Sequence, residues 1–176
     1  RDLSTSNILI DDEFHPIITD FGFSKILNVD KPKVQSFYGG TFLYTAPEIL
    51  QHHPYNSKVD VYSFGIIMYE IITESVLYPD FKNGEITDYD LKEKIIKENY
   101  RPQFVVPIKK SLRDLITQCW APNPNDRPTF KEIFNKLSPT ESNMKLNDDD
   151  NFFLDDVDFD ELEYYYEKIT EIKEPM

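Results

Sequence analysis

Residues 58 to 72, Lys-Val-Asp-Val-Tyr-Ser-Phe-Gly-Ile-Ile-Met-Tyr-Glu-Ile-Ile, leave little choice of architecture. Val61, Phe64, Ile67, Met68, Ile71 and Ile72 recur at the period of a helix, while Val59, Tyr62 and Ile66 add apolar surface on its other sides. A helix apolar on most sides has to be buried, so a domain must be built around it. Ser57 is the expected N-cap, with Asp60 at capping-box spacing. The longest mostly apolar run, Phe64 to Ile72, contains Glu70 and is too short to cross a bilayer, so no membrane partner is expected.

The elements around this helix follow from shorter signals. Ile8-Leu9-Ile10 and Pro16-Ile17-Ile18-Thr19 flank the turn Asp11-Asp12-Glu13 and predict a small hairpin. Residues 21 to 45 show no helical period and hold three glycines, which predicts a long loop. Asn83-Gly84 marks a turn, and Asp88 is placed to cap a helix carrying Leu91, Ile95 and Ile96. A further helix carries Leu112, Leu115, Ile116 and Cys119 and ends at the proline-rich stretch 121–128, beneath which Trp120 is expected to pack. The last starts near Pro128 and places Phe130, Ile133, Phe134 and Leu137 on its inner face. The expected fold is mainly α, with a small β-hairpin at its start.

Charge divides the chain in two. The net charge is −13, of which residues 141–176 contribute −10 with thirteen acids and three lysines. Residues 138–176 therefore read as an acidic tail beyond a domain of residues 1–137. Within it Leu162, Tyr165, Tyr166, Ile169 and Ile172 fit one stripe of a short amphipathic helix, which either docks on its own domain or, as residues 157–172, binds a partner. Overall acidity argues against nucleic acid, whose binding needs cations. Cys119 is the only cysteine and lies on an apolar stripe, so no internal disulfide can form and a reducing, cytoplasmic setting is expected. His15, His52 and His53 have no metal-ligand pattern around them.

Function is carried by order and spacing. Arg1-Asp2-Leu3-Ser4-Thr5-Ser6-Asn7 is followed by the hairpin, then Asp20-Phe21-Gly22, the long loop and Ala46-Pro47-Glu48. Asp60 begins the buried helix in Asp-Val-Tyr-Ser-Phe-Gly, and Cys119-Trp120 and Arg127-Pro128 follow later. Each piece alone reads as turn chemistry or a helix start. Together, in this order, they resemble the signature set of eukaryotic-type protein kinases over residues 1 to 137. The late Cys-Trp and Arg-Pro motifs look like tyrosine-kinase-like and true tyrosine kinases. The stretch Gly40 to Glu48 is similar to the substrate-binding segment of Ser/Thr kinases, with Thr41 at the position tied to that specificity. A tyrosine-kinase-like Ser/Thr kinase fits both.

The resemblance implies a C-lobe, one half of a two-lobed α+β domain, and a set of roles. Asp2 matches the base that accepts the proton of a protein substrate's hydroxyl, and Asn7 and Asp20 match the Mg²⁺ ligands beside ATP. An amide oxygen and a carboxylate are the hard donors that ion prefers. Phe21 and Gly22 match the residues that position Asp20 and let the backbone turn after it. Arg1 matches the arginine that pairs with a phosphorylated loop residue, for which Ser36 is the first candidate and Tyr38 the second. Glu48 and Arg127 match a buried ion pair, and Asp60 a structural acid of the central helix.

Four departures bear on activity. The His before Arg-Asp, the Gly-rich loop, and the ATP-binding lysine with its glutamate partner are not within these residues. An Arg at position 1, cutting that motif, is expected of a fragment whose N-lobe is the missing partner, inactive by itself. Ser4 stands where Ser/Thr kinases carry Lys, and Ser6 where tyrosine kinases carry Arg. One missing preorganised charge is worth about 10²-fold in rate. The expected function is phosphoryl transfer from ATP to protein Ser/Thr hydroxyls by the parent kinase; the alternative is a pseudokinase or scaffold that uses the fold and acidic tail for protein binding.

Overall fold

The computed structural model describes residues 2–20 and 40–138, with the backbone alone at 40 and 41. Arg1, Phe21, Gly22, Ser36, Tyr38 and the tail helix expected within 157–172 lie outside the described residues. In chain order the elements are β1 (Ile8–Ile10), β2 (Pro16–Ile18), α1 (Pro47–Leu50), α2 (Lys58–Thr73), α3 (Pro79–Lys82), α4 (Asp88–Lys97), α5 (Lys110–Cys119) and α6 (Phe130–Leu137). Two 3₁₀ turns, Thr5–Asn7 and Gly40–Tyr44, precede β1 and α1.

α2 is the axis, with Val59, Val61, Tyr62, Ile66, Ile67, Met68 and Tyr69 all buried. Ile71 is exposed, so the apolar surface of the helix is not covered on every side. α2 crosses α5 closely at Gly65: a Cβ there would lie 2.8 Å from Cys119 Cβ and 3.3 Å from the Trp120 nitrogen. Only glycine lets the two backbones approach this far. Leu112, Leu115, Ile116 and Cys119 fill the α5 side of the contact, and Leu91 and Ile95 of α4 extend the core. Trp120 packs on Tyr69 of α2 and on Phe104 of the segment after α4, at 5.8 and 5.7 Å between ring centroids.

β1 and β2 pair antiparallel, Ile8 opposite Ile18 and Ile10 opposite Pro16. The turn between them is set by Asp11, whose carboxylate accepts from the Glu13 and His15 amides at 2.9 and 2.8 Å. Such a side-chain turn is what a short acid offers the backbone. Leu9, Ile10, Ile17 and Ile18 are all exposed.

Two expectations at helix ends are corrected. Ser57 has helical dihedrals and makes no side-chain cap; Asn56, one residue earlier, accepts from the Lys58 amide at 2.9 Å. Asp88 lies already inside the first turn of α4, and Thr87 is the cap, in a reciprocal box with Asp90. At α6 the cap is Thr129, boxed with Glu132, which puts Pro128 ahead of the helix. Phe130 and Phe134 do not face inward: they are 46% and 69% exposed, and only Ile133 is buried. α6 packs on α2 through Phe64 and Phe130, and Lys136 donates to Gln118 of α5.

Among the described residues the interior holds one full ion pair. Arg127, 1% exposed, forks onto Glu48 with Nη1 to Oε1 at 2.6 Å and Nη2 to Oε2 at 2.8 Å. Its remaining N–H groups donate to the carbonyls of Ala121 (2.8 Å), Lys58 (3.1 Å) and Pro122 (3.2 Å). All five guanidinium donors are thus used, and the plane lies over the Tyr62 ring at 5.1 Å. Lys58 Nζ in turn donates to the Arg127 carbonyl. Glu48→Ala or Arg127→Ala should cost about 3–5 kcal/mol in denaturant unfolding, because each strands a buried charge. Arg127→Lys should rescue little, since an ammonium cannot supply the fork. A Glu48→Ala protein with the parent's unfolding midpoint would contradict this account.

Candidate active site

The segment before β1 is a short loop closed by its own amide. Asn7 N donates to the Ser4 carbonyl at 3.1 Å, closing the 3₁₀ turn. Asn7 Nδ2 then reaches back to the Asp2 carbonyl at 2.7 Å. With its nitrogen used inward, the Asn7 side chain has its oxygen left as an acceptor. The Asn7 carbonyl takes two bonds from Thr19, from N at 2.8 Å and Oγ1 at 3.2 Å. Asn7 therefore ties Asp2 on one side to the end of β2 on the other. Asp20 follows Thr19 directly and has φ of +54°, the left-handed region that Asp tolerates better than most residues. It is exposed.

Three sequence-predicted residues are thus brought to one end of the hairpin: Asp2, Asn7 and Asp20. Asp2 Oδ1 is buried and has no hydrogen-bond partner among the described residues. An unpaired buried carboxylate oxygen is costly, and it is the state of a group waiting for a donor. The donor pair of Asn7 and Asp20 suits Mg²⁺: an amide oxygen and a carboxylate, both hard. Among the described residues no three His, Cys, Asp or Glu side chains converge to hold a metal alone.

Ser4 and Ser6 occupy the positions where a cation was expected. Ser4 is 1% exposed, and its hydroxyl pairs with that of Ser6 at 3.0 Å. The backbone of Thr41 lies in the Gly40–Tyr44 turn. Asp60 sits in the first turn of α2, partly buried. Cys119 is buried, and burial pushes its thiol up to about 12, which makes it core rather than nucleophile.

A protein kinase domain model matches residues 1–137. The chain belongs to the protein kinase family. Its mainly helical fold with one two-stranded sheet is that of a kinase C-lobe. It is 40% identical over 151 residues to the dual specificity protein kinase shkD of Dictyostelium discoideum, covering 85% of this chain and 20% of that protein. It is 39% identical over 139 residues to shkA of the same organism, 78% of this chain and 26% of the relative. It is 35% identical to serine/threonine-protein kinase 12 of Arabidopsis thaliana over 78% of this chain and 29% of that protein. The chain thus spans between a fifth and a third of the length of these curated relatives.

This kinase lobe contains a network that the sequence did not reveal. Tyr44 Oη donates to Glu70 Oε2 at 2.7 Å and lies 2.9 Å from Thr5 Oγ1. With the phenol proton given to the carboxylate, Thr5 is the donor to Tyr44. Ser63 Oγ donates to the Tyr44 carbonyl at 2.8 Å. The loop of Asp2 and Asn7 is thereby connected to α2 through one phenol. No spacing links Thr5, Tyr44 and Glu70; the only available hint was a hydroxyl inside a polar loop.

Burial, reinforced by the Glu70 carboxylate, pushes the Tyr44 phenol up to about 12. An unfolded tyrosine ionises near 10. Between those values the folded chain binds more protons, so this stability is full below pH 10 and falls as pH rises towards 12. Burial raises Tyr62, Tyr69 and Tyr78 in the same direction, so the parent loses stability through several phenols. Tyr44→Phe should lower stability near neutral pH by about 1–2 kcal/mol. It should also show a shallower decline between pH 10 and 12 in urea unfolding. An unchanged alkaline slope would show that Tyr44 titrates as an exposed phenol.

Proposed function

We propose that the parent protein transfers the γ-phosphoryl group of ATP to Ser and Thr hydroxyls of proteins, and that residues 1–137 are its C-lobe. The observation that carries this is the orphaned Asp2 oxygen beside the Asn7 clamp. ATP would supply the phosphoryl group, and a Mg²⁺ ion bound beside it would neutralise its charge. Asp2 Oδ1 accepts the proton of the substrate hydroxyl, which has no competing partner among the described residues. Asn7 Oδ1 and the Asp20 carboxylate would hold the metal. Asn7 is oriented for this by donating its nitrogen to the Asp2 carbonyl, so base and metal ligand are set by one bond. Phosphoryl transfer needs mostly such positioning.

Support for hydroxyl substrates of the Ser/Thr type comes from Thr41 in the segment before Ala46-Pro47-Glu48 and from relatives named serine/threonine kinases. Others are named dual specificity. Arg1 and Ser36 are assigned to control by loop phosphorylation, with Phe21 and Gly22 setting Asp20. The N-lobe is the assigned cover of the hairpin: four exposed isoleucines and leucines on three-residue strands are surface that a second lobe would bury. An intracellular setting goes with this reading. The scaffold reading draws on one feature, the hydroxyl pair of Ser4 and Ser6 where a cation was expected.

The test is phosphate transfer from Mg·ATP to Ser, Thr and Tyr peptides by the longer protein that carries this lobe. Asp2→Asn and Asp20→Asn should each reduce transfer by about 10²–10⁴-fold without changing the melting temperature. Transfer confined to Tyr peptides would overturn the specificity. Residues 1–176 alone carry no Gly-rich loop or ATP-binding lysine and should bind no Mg·ATP in the micromolar range by calorimetry. Ser6 is exposed while Ser4 is not, so Ser6→Arg is the variant that restores a charge without opening the interior. A faster Ser6→Arg protein supports catalysis limited by the missing cation. No transfer by either protein supports the scaffold.

A further inference from the structure

An open apolar trench of about 590 Å³ runs along α6, lined by Phe64, Phe130, Ile133, Phe134, Leu137 and Ser138. Phe64 and Phe130 meet edge to face at 5.6 Å and form its floor, while Phe134 stands 69% exposed at its side. A capped eight-residue helix that turns two phenylalanines outward is an unusual use of a surface, because apolar residues at such sites mark interaction faces. None of its lining residues makes a described hydrogen bond to Asp2, Asn7, Tyr44 or Glu48.

We propose that the trench is the docking site of this chain's own acidic segment 157–172, bound in cis as an amphipathic helix. Three features select this occupant. The first is continuity: Ser138, the last described residue, is itself part of the trench wall, so the tail starts at the site. The 18 residues 139–156 form a tether with a root-mean-square reach of about 23 Å, comparable with the roughly 24 Å length of a 16-residue helix. A tether of that size holds its segment at about millimolar effective concentration.

The second feature is pattern. Leu162, Tyr165, Tyr166, Ile169 and Ile172 recur at the spacing by which a helix lays one face in a groove. The two tyrosines offer rings to Phe130 and Phe134 and hydroxyls to the solvent edge. The third is charge. Segment 157–172 carries six acids and one lysine. On α6, Lys136 donates to the neutral Gln118 at 2.8 Å, and Lys131 makes no ion pair among the described residues. Glu132, the one acid of α6, is occupied by capping Thr129. α6 thus carries two lysines against one acid, a net positive charge to set beside an acidic helix.

Hydrogen exchange of the whole chain, read by mass spectrometry, tests this. Amides of 157–172 should exchange roughly tenfold or more slowly than in a free peptide of the same sequence. Phe134→Glu should return them to the peptide rate while the amides of α2 keep their protection, which shows that the fold survives. A tail variant, Tyr165→Ser with Ile169→Ser, cannot disturb the fold and should speed exchange along α6. Tail amides at the peptide rate in the parent would overturn the proposal, as would protection that survives Phe134→Glu. Protection that disappears on dilution would also overturn it, by assigning the trench to a second copy.

Discussion

Glu48 and Arg127 hold the molecule together at the one place where four segments must agree. The guanidinium takes the Glu48 carboxylate from α1, the Lys58 carbonyl from the start of α2, and the Ala121 and Pro122 carbonyls from the chain beyond α5. Taking two charges out of water costs several kcal/mol each, and only full hydrogen bonding offsets it. The pair is thus a weak source of net stability and a strong specifier of arrangement, because any segment out of place leaves a buried charge unmet. Its reach extends to the candidate site. Glu48 lies four residues after Tyr44, which touches Thr5 beside Asp2 and Asn7.

That line of contacts explains why so exposed a site can be ordered. The hairpin is six paired residues with little burial, and an isolated two-stranded hairpin has marginal stability in water. Asn7 compensates locally by bonding the backbone at both Asp2 and Thr19. Thr5 compensates globally by joining the loop to α2 through Tyr44 and Glu70. Asp20 carries positive φ, a conformation that costs of order 1–3 kcal/mol for a non-glycine residue. It is retained next to the Thr19 clamp, where the surrounding bonds over-determine the backbone.

What could be read from the sequence followed from how local its cause was. The period of α2 is written in consecutive residues, so the buried helix was legible, as was the Asp11 turn. Asp2, Asn7, Glu48 and Arg127 came from the order of motifs, since no local rule pairs residues 79 positions apart. The caps slipped by one residue because Asn56-Ser57 and Thr87-Asp88 each offer two competent side chains, and backbone dihedrals decide between them. Thr5, Tyr44 and Glu70 were missed because three common polar residues at unrelated spacings carry no pattern. The outward Phe130 and Phe134 were misread because periodicity reports that a stripe exists, not what lies opposite it.

The same distinction governs the two apolar surfaces the lobe exposes. On the hairpin, Leu9, Ile10, Ile17 and Ile18 occupy adjacent positions on both strands, so the apolar residues fall on both faces of the sheet and only something that wraps it buries them all. At α6 the apolar residues sit on one stripe, beside Phe64, which is the geometry of a single helix laid in a groove. The acidity of the tail sharpens the contrast. A segment with so many like charges resists collapse on its own, so its apolar stripe gains most where cations offset the repulsion. The hairpin's charged neighbours, Asp11, Asp12 and Glu13, are acids and would repel it. Charge would therefore favour α6 over the end of the domain that bears Asp2, Asn7 and Asp20 as the place where the tail docks.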